Sequence, residues 1–185
     1  MKRPLSVTAA AVVALGVLAG CGSSEQPAPA PAADSAAPAA DAAAPAAPGA
    51  TVPGVPPLTG NPTDLTKPSQ AKAGTGQPPT KLVTQDVVVG KGTAAKLSDS
   101  VDVRYSGTLY PNGELFDASW QQGDEPINFP LSNVVPGFAQ GIVGMQPGGR
   151  RVIVIPPDLG YGSRTAGPIP AGSTLVFVVD LVKVG

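Results

Sequence analysis

From Lys81 onward the chain alternates between apolar and polar positions. Val101, Val103 and Tyr105 fall on one side of a period-two pattern, with Asp102, Arg104 and Ser106 on the other, which predicts a strand with one face turned inward. Val83, Gln85, Val87 and Val89 alternate less cleanly and predict an edge-like first strand. Pro111-Asn112-Gly113 predicts a hairpin turn, because Asn and Gly tolerate left-handed backbone. Glu114 to Ser119 returns as the paired strand, and Ile127, Phe129 and Leu131 alternate again. Pro136 predicts the start of a short helix, since its missing N–H is no loss in a first turn. That helix carries Phe138, Ile142 and Val143 inward and ends at Gln146-Pro147-Gly148-Gly149. Arg150 to Ile155 predicts a strand, Pro156 to Ser173 a long Gly/Pro loop, and Thr174 to Val184 the last strand, with Leu175, Phe177, Val179 and Leu181 on one face. The sum is an α+β domain: antiparallel strands with a single short helix covering one sheet face.

The first 79 residues read differently. Lys2 and Arg3 precede an apolar run from Val7 to Ala19 that is too short for an ordinary membrane span and reads as an export signal over residues 1–20. It ends in Leu18-Ala19-Gly20-Cys21, a pattern similar to a lipoprotein signal box, with Cys21 as the thiol that accepts the lipid. The expected location is therefore extracytoplasmic and membrane-anchored. The bland alternative is a plain signal peptide with an incidental Cys. Residues 21–79 are rich in Ala and Pro, and 13 of the 23 prolines lie between Cys21 and Lys81. Such a stretch has little apolar surface to offset its ordering entropy, and predicts a disordered tether.

Composition narrows the chemistry. The chain has no His and one Cys, which excludes a Ser-His-Asp or Cys-His nucleophile, a His or multi-Cys zinc site and an internal disulfide. The formal net charge is -1, without a basic patch, so nucleic acid is not an expected partner.

Blocks along the second half carry a resemblance. YSG, LFDAS, PGFAQGIVGMQPGG, PPDLGYG and IPAGSTLVFVVDL occur in this order, and from Leu82 to Gly185 the chain closely resembles the FKBP-type peptidyl-prolyl cis-trans isomerase domain. The resemblance implies a strongly twisted sheet wrapped around the helix, a domain over residues 80–185, and an activity that needs no cofactor and no metal. It implies a proline-holding cup lined by Tyr105, Phe116, Val134, Val135, Phe138, Tyr161, Ile169 and Phe177. Asp117 and the Tyr161 hydroxyl would supply polar contacts, and the Val135 N–H would bind a ligand carbonyl. On pattern alone, inward aromatics such as Tyr105, Phe116 and Phe177 are as readily plain core, and Asp117 a strand-end acid bonded to a local turn.

The sequence departs from the family at two places. Phe138 stands where the cup floor is commonly Trp, and the loop after Asp117 reads Trp120-Gln121-Gln122-Gly123-Asp124-Glu125, without the basic residue often found near the acid. Expected partners are proline-containing exported polypeptides, a lipid anchor and macrolide ligands bound more weakly than usual, on a monomer. Two other readings stay open: an FKBP-like binding or chaperone module with weak activity, and a structural surface lipoprotein.

Overall fold

Strand β2, Ser100–Leu109, is the spine of the molecule. In this computed structural model, which describes residues 52–123 and 125–185, one edge of β2 pairs along its length with β6, Leu175–Val184. The other edge is shared. β3, Leu115–Ala118, pairs with Ser106–Thr108, and β4, Ile127–Pro130, pairs with Ser100–Val103. Beyond β6 lie β5, Gly149–Ile155, and then the edge strand β1, Val83–Val88. All pairings are antiparallel. The hairpin turn forms at Pro111-Asn112-Gly113, with Gly113 in the left-handed region.

The single α-helix among the described residues, α1, runs over Pro136–Ile142 with Pro136 in its first turn. Gly137 and Gly141, four residues apart, face β5, where a Cβ on either would run into Ile155 or Ile153. The two glycines therefore set how closely helix and sheet approach. α1 ends earlier than the sequence predicts. Val143 is its C-cap, 39% exposed rather than inward, and Gly144 takes a positive φ. Gln146–Gly149 forms instead the tight turn into β5, with the Gly149 N–H donating to the Gln146 carbonyl.

The sheet is buried on both faces. One core joins Val101, Val103, Tyr105, Phe138, Ile142, Ile153, Leu175, Phe177 and Val179 under α1. A second joins Tyr110, Val152, Val154, Val176 and Val178 on the opposite face. Residues 52–79 cover that second face, which corrects the expectation that the tether extends to residue 79. Val55, Leu58 and Ala71 pack on the back-face valines. Thr59 and Lys72 donate to the Gln70 and Pro57 carbonyls and close the segment into an irregular hairpin. We call it the strap. The Ser106 hydroxyl donates to the Ser69 carbonyl, and the Tyr110 hydroxyl to that of Thr75. Residues 21–51 of the expected tether, the export signal and Cys21 lie outside the described residues.

Two neighbouring arginines at the start of β5 serve opposite faces. Arg150 is fully buried, donates to both carboxylate oxygens of Asp180 at 2.5 and 2.6 Å, and holds the strap through the Pro62 and Lys67 carbonyls. Burial raises the Asp180 carboxyl above its ordinary pKa, and the Arg150 guanidinium pulls against that rise. Arg151 pairs with Asp86 and donates to the Gly141 and Val143 carbonyls, satisfying orphan acceptors at the end of α1.

Candidate active site

On the helix side, the sheet opens into a cup of about 340 Å³. β2 contributes Tyr105, β3 contributes Phe116 and Asp117, β4 contributes Phe129 and β6 contributes Phe177. Asn133, Val134 and Val135 form the rim before α1, Phe138 of α1 forms the floor, and Tyr161 closes the loop side.

The rings meet edge to face, the arrangement their quadrupoles favour, except for the tilted Tyr105–Phe177 pair. Phe138 and Phe177 stand 5.0 Å apart between centroids, Phe116 and Phe177 5.5 Å, and Tyr105 lies 6.0–6.2 Å from Phe129, Phe177 and Phe138. Gly107 makes this possible, because a Cβ there would meet Phe116 at 2.6 Å and Phe177 at 2.9 Å. The Gly of the YSG block is thus a site residue that ring-by-ring reading passes over. Val135 precedes the helix, and its carbonyl accepts from the Phe138 and Ala139 amides. Tyr161 is held by its neighbours: Gly162, in the left-handed region, turns the chain back, and its N–H donates to the Pro157 carbonyl.

Asp117 is exposed at the lip of the cup, and the Tyr105 hydroxyl donates to its Oδ2 at 2.6 Å. Burial pushes the Tyr105 phenol above the ordinary tyrosine pKa, and the hydrogen bond to Asp117 and its charge push the same way. The partner of Asp117 is therefore a phenol, in a chain whose following loop lacks the usual cation. That loop instead begins with a 3-10 turn, Ser119–Gln121, whose Trp120 ring lies 5.3 Å from the Arg104 guanidinium. Among the described residues, no group of three or more His, Cys, Asp or Glu is placed to hold a metal ion.

The structure brings together Tyr105, Phe116, Asp117, Val134, Val135, Phe138, Tyr161 and Phe177. It does not place Ile169 on the cup wall. Ile169 is 5% exposed, packs into the helix-side core, and exchanges backbone hydrogen bonds with Ala166. A lone apolar residue in a polar loop here packs back. Sequence reading also missed Phe129 and Asn133 as lining residues. Phe129 was available from the Ile127, Phe129, Leu131 alternation, whereas no pattern marks Asn133.

A sheet packed on a short helix, with an aromatic cup and an acid at its lip, defines a class that known proteins identify. Residues 91–182 match the family model for the FKBP-type peptidyl-prolyl cis-trans isomerase. A probable FK506-binding protein of Corynebacterium glutamicum is 42% identical over 108 residues, 58% of this chain and 91% of that protein. The FKBP-type peptidyl-prolyl cis-trans isomerase FkpA of Escherichia coli (strain K12) is 48% identical over 105 residues, 57% of this chain and 38% of that protein. Its crystal structure superposes with a TM-score of 0.53, covering 48% of that chain. The crystal structure of AtFKBP13 gives the same TM-score at 35% identity, covering 58% of this chain and 95% of that one. The chain belongs to the FKBP-type peptidyl-prolyl cis-trans isomerase family. It is a peptidyl-prolyl cis-trans isomerase, and its substrates are proline-containing polypeptides.

Proposed function

We propose that this isomerase works outside the cytoplasm, held at a membrane by lipid on Cys21, and speeds proline-limited folding of exported polypeptides. The aromatic cup carries the catalytic part of this reading, and the Leu18–Cys21 pattern carries the anchoring part.

Rotation about an X-Pro amide breaks no bond. It must overcome resonance worth ~18–20 kcal/mol, and unaided exchange takes tens of seconds or more. The planar amide is the more charge-separated form, and twisting reduces that separation. A dry aromatic cup therefore disfavours the planar state more than the twisted one. The proline ring lies on the Phe138 floor between Phe177, Phe116 and Tyr105. The Val135 N–H donates to a substrate carbonyl beside the proline and fixes the peptide's orientation. Asp117 and the Tyr161 hydroxyl act on the rotating amide at the lip, where directed hydrogen bonds favour the twisted carbonyl. The chain acts as a monomer, and a macrolide of suitable size occupies the same cup.

The test is an isomerisation assay on the full chain with short X-Pro peptides, varying the residue before proline. Faster exchange, with apolar residues preferred, is expected, and exchange at the uncatalysed rate by a folded chain would refute the reading. Membrane fractionation tests the other half: the protein should sediment with membranes and carry lipid mass on its N-terminal peptide.

A further inference from the structure

The edge of β2 that faces β3 and β4 has a gap. β3 serves it at Ser106–Thr108 and β4 serves it at Ser100–Val103, leaving Arg104 and Tyr105 between. Arg104 turns its main chain to β6, opposite Asp180. Tyr105 turns its N–H and carbonyl into the gap, where no strand meets them. One side chain fills it. The Ser119 hydroxyl accepts the Tyr105 N–H at 2.9 Å and donates to the Tyr105 carbonyl at 3.3 Å. Ser119 is 1% exposed, at the point where β3 has ended and the 3-10 turn begins. A single oxygen thus stands in for the missing strand partner at the residue whose phenol bonds Asp117.

The geometry has a consequence for the reaction. Asp117 and Ser119, two positions apart, hold the two ends of Tyr105: its hydroxyl and its main chain. Buried backbone groups left without partners are costly, so losing the Ser119 hydroxyl favours a shift of β2 or a change of pairing in the gap. Either moves the root of the Tyr105 side chain, and a hydrogen bond of 2.6 Å at the far end tolerates little displacement. We propose that Ser119 is a positioning residue for isomerisation, which sets the Tyr105 hydroxyl on Asp117 by replacing a strand at the gap in β2. It touches no substrate. The proposal rests on the cup as the isomerase site.

The experiment is a double-mutant cycle in the full chain, with kcat and KM measured on an X-Pro peptide for wild type, Ser119→Ala, Tyr105→Phe and the double variant. Ser119→Ala should lower kcat roughly fivefold to tenfold with a smaller change in KM, and the same substitution in the Tyr105→Phe background should cost less than about twofold. Ser119→Thr keeps the hydroxyl and adds a methyl to a tight site. It should retain more activity than Ser119→Ala even at equal or lower stability, which separates positioning from loss of fold. A second readout is ultraviolet titration of Tyr105, which should move toward the ordinary tyrosine value in Ser119→Ala. Equal loss of activity in both backgrounds, or unchanged activity and titration in Ser119→Ala, would overturn the proposal. If wild type itself lacks isomerase activity, the functional reading fails, and the titration alone decides whether Ser119 positions the phenol.

Discussion

Arg150→Met attacks the joint between the strap and the sheet without touching the cup. Arg150 is fully buried, and its guanidinium has four acceptors: both Asp180 oxygens and the carbonyls of Pro62 and Lys67. Met matches the aliphatic stem but leaves Asp180 as a buried carboxylate without its hydrogen-bonded guanidinium, with only the charge of Arg104 still acting on it. Breaking a buried pair in this way costs about 3–5 kcal/mol. The two strap carbonyls lose donors worth roughly 1 kcal/mol each, partly recovered by water if the strap lifts. For a domain of this size, 1 kcal/mol corresponds to roughly 3–5 °C, so the unfolding midpoint should fall by on the order of 10–20 °C. Replacing both members, Arg150→Met with Asp180→Leu, should recover part of that loss, because the buried carboxylate is gone, while the strap carbonyls lose their donors and Arg104 loses the Asp180 charge. The assay is thermal or urea unfolding, with limited proteolysis to locate cleavage around Pro62–Lys67. If Arg150→Met stays within about 1 kcal/mol of wild type and the strap remains resistant to protease, the strap is not held as the structure shows.

The remaining predictions concern the cup and the anchor. The folded state holds the Tyr105 proton above the ordinary tyrosine value near 10, so this group's contribution to stability persists below that value and is lost only at higher pH, as the folded phenol ionises. Ultraviolet titration should show one phenol lagging, and Asp117→Asn should bring it part of the way down, because burial is the larger cause and stays in place. Asp117→Ala should lower turnover more than Tyr161→Phe, which removes one hydrogen bond of ~1 kcal/mol and keeps the ring. Phe177→Ala should mainly destabilise the fold, by ~3–5 kcal/mol, since its ring is both cup wall and core. Unfolding midpoints beside turnover separate these effects, and wild-type turnover in Asp117→Ala would remove that residue from the mechanism. Phe138→Trp should tighten macrolide binding, measured by titration calorimetry, provided the floor between Phe177 and Tyr105 takes the larger ring. Cys21→Ser should release the protein from membranes or block its processing without lowering isomerase activity, because the proposed anchor is the lipid on that one thiol.

What could be read from the sequence was local. The inward face of β2, the hairpin at Asn112-Gly113 and the helix opening at Pro136 each follow from a few neighbouring residues, and all are present. The cup was legible only through family resemblance, because an inward aromatic on a strand looks the same whether it meets solvent, ligand or core. Ile169 shows the limit of that route: its motif matches, yet it is not among the residues that line the cup. Arg150 and Arg151 defeat pattern reading for a different reason. Adjacent strand residues point to opposite faces, so two charges at a strand start look solvated unless both faces are covered. The strands themselves signal such cover. RRVIVI and TLVFVVDL are nearly continuous apolar runs rather than alternating ones, and a run of that kind belongs to a strand buried on both sides. The short α1 can cover only one face. The second face therefore needed a cover from elsewhere in the chain, and the scattered Val55, Leu58 and Ala71 of an otherwise polar, proline-rich stretch are the residues that supply it. Composition averaged over residues 21–79 hid them. Weighing the apolar demand of the strands against the residues able to meet it would have placed the domain's beginning before residue 80.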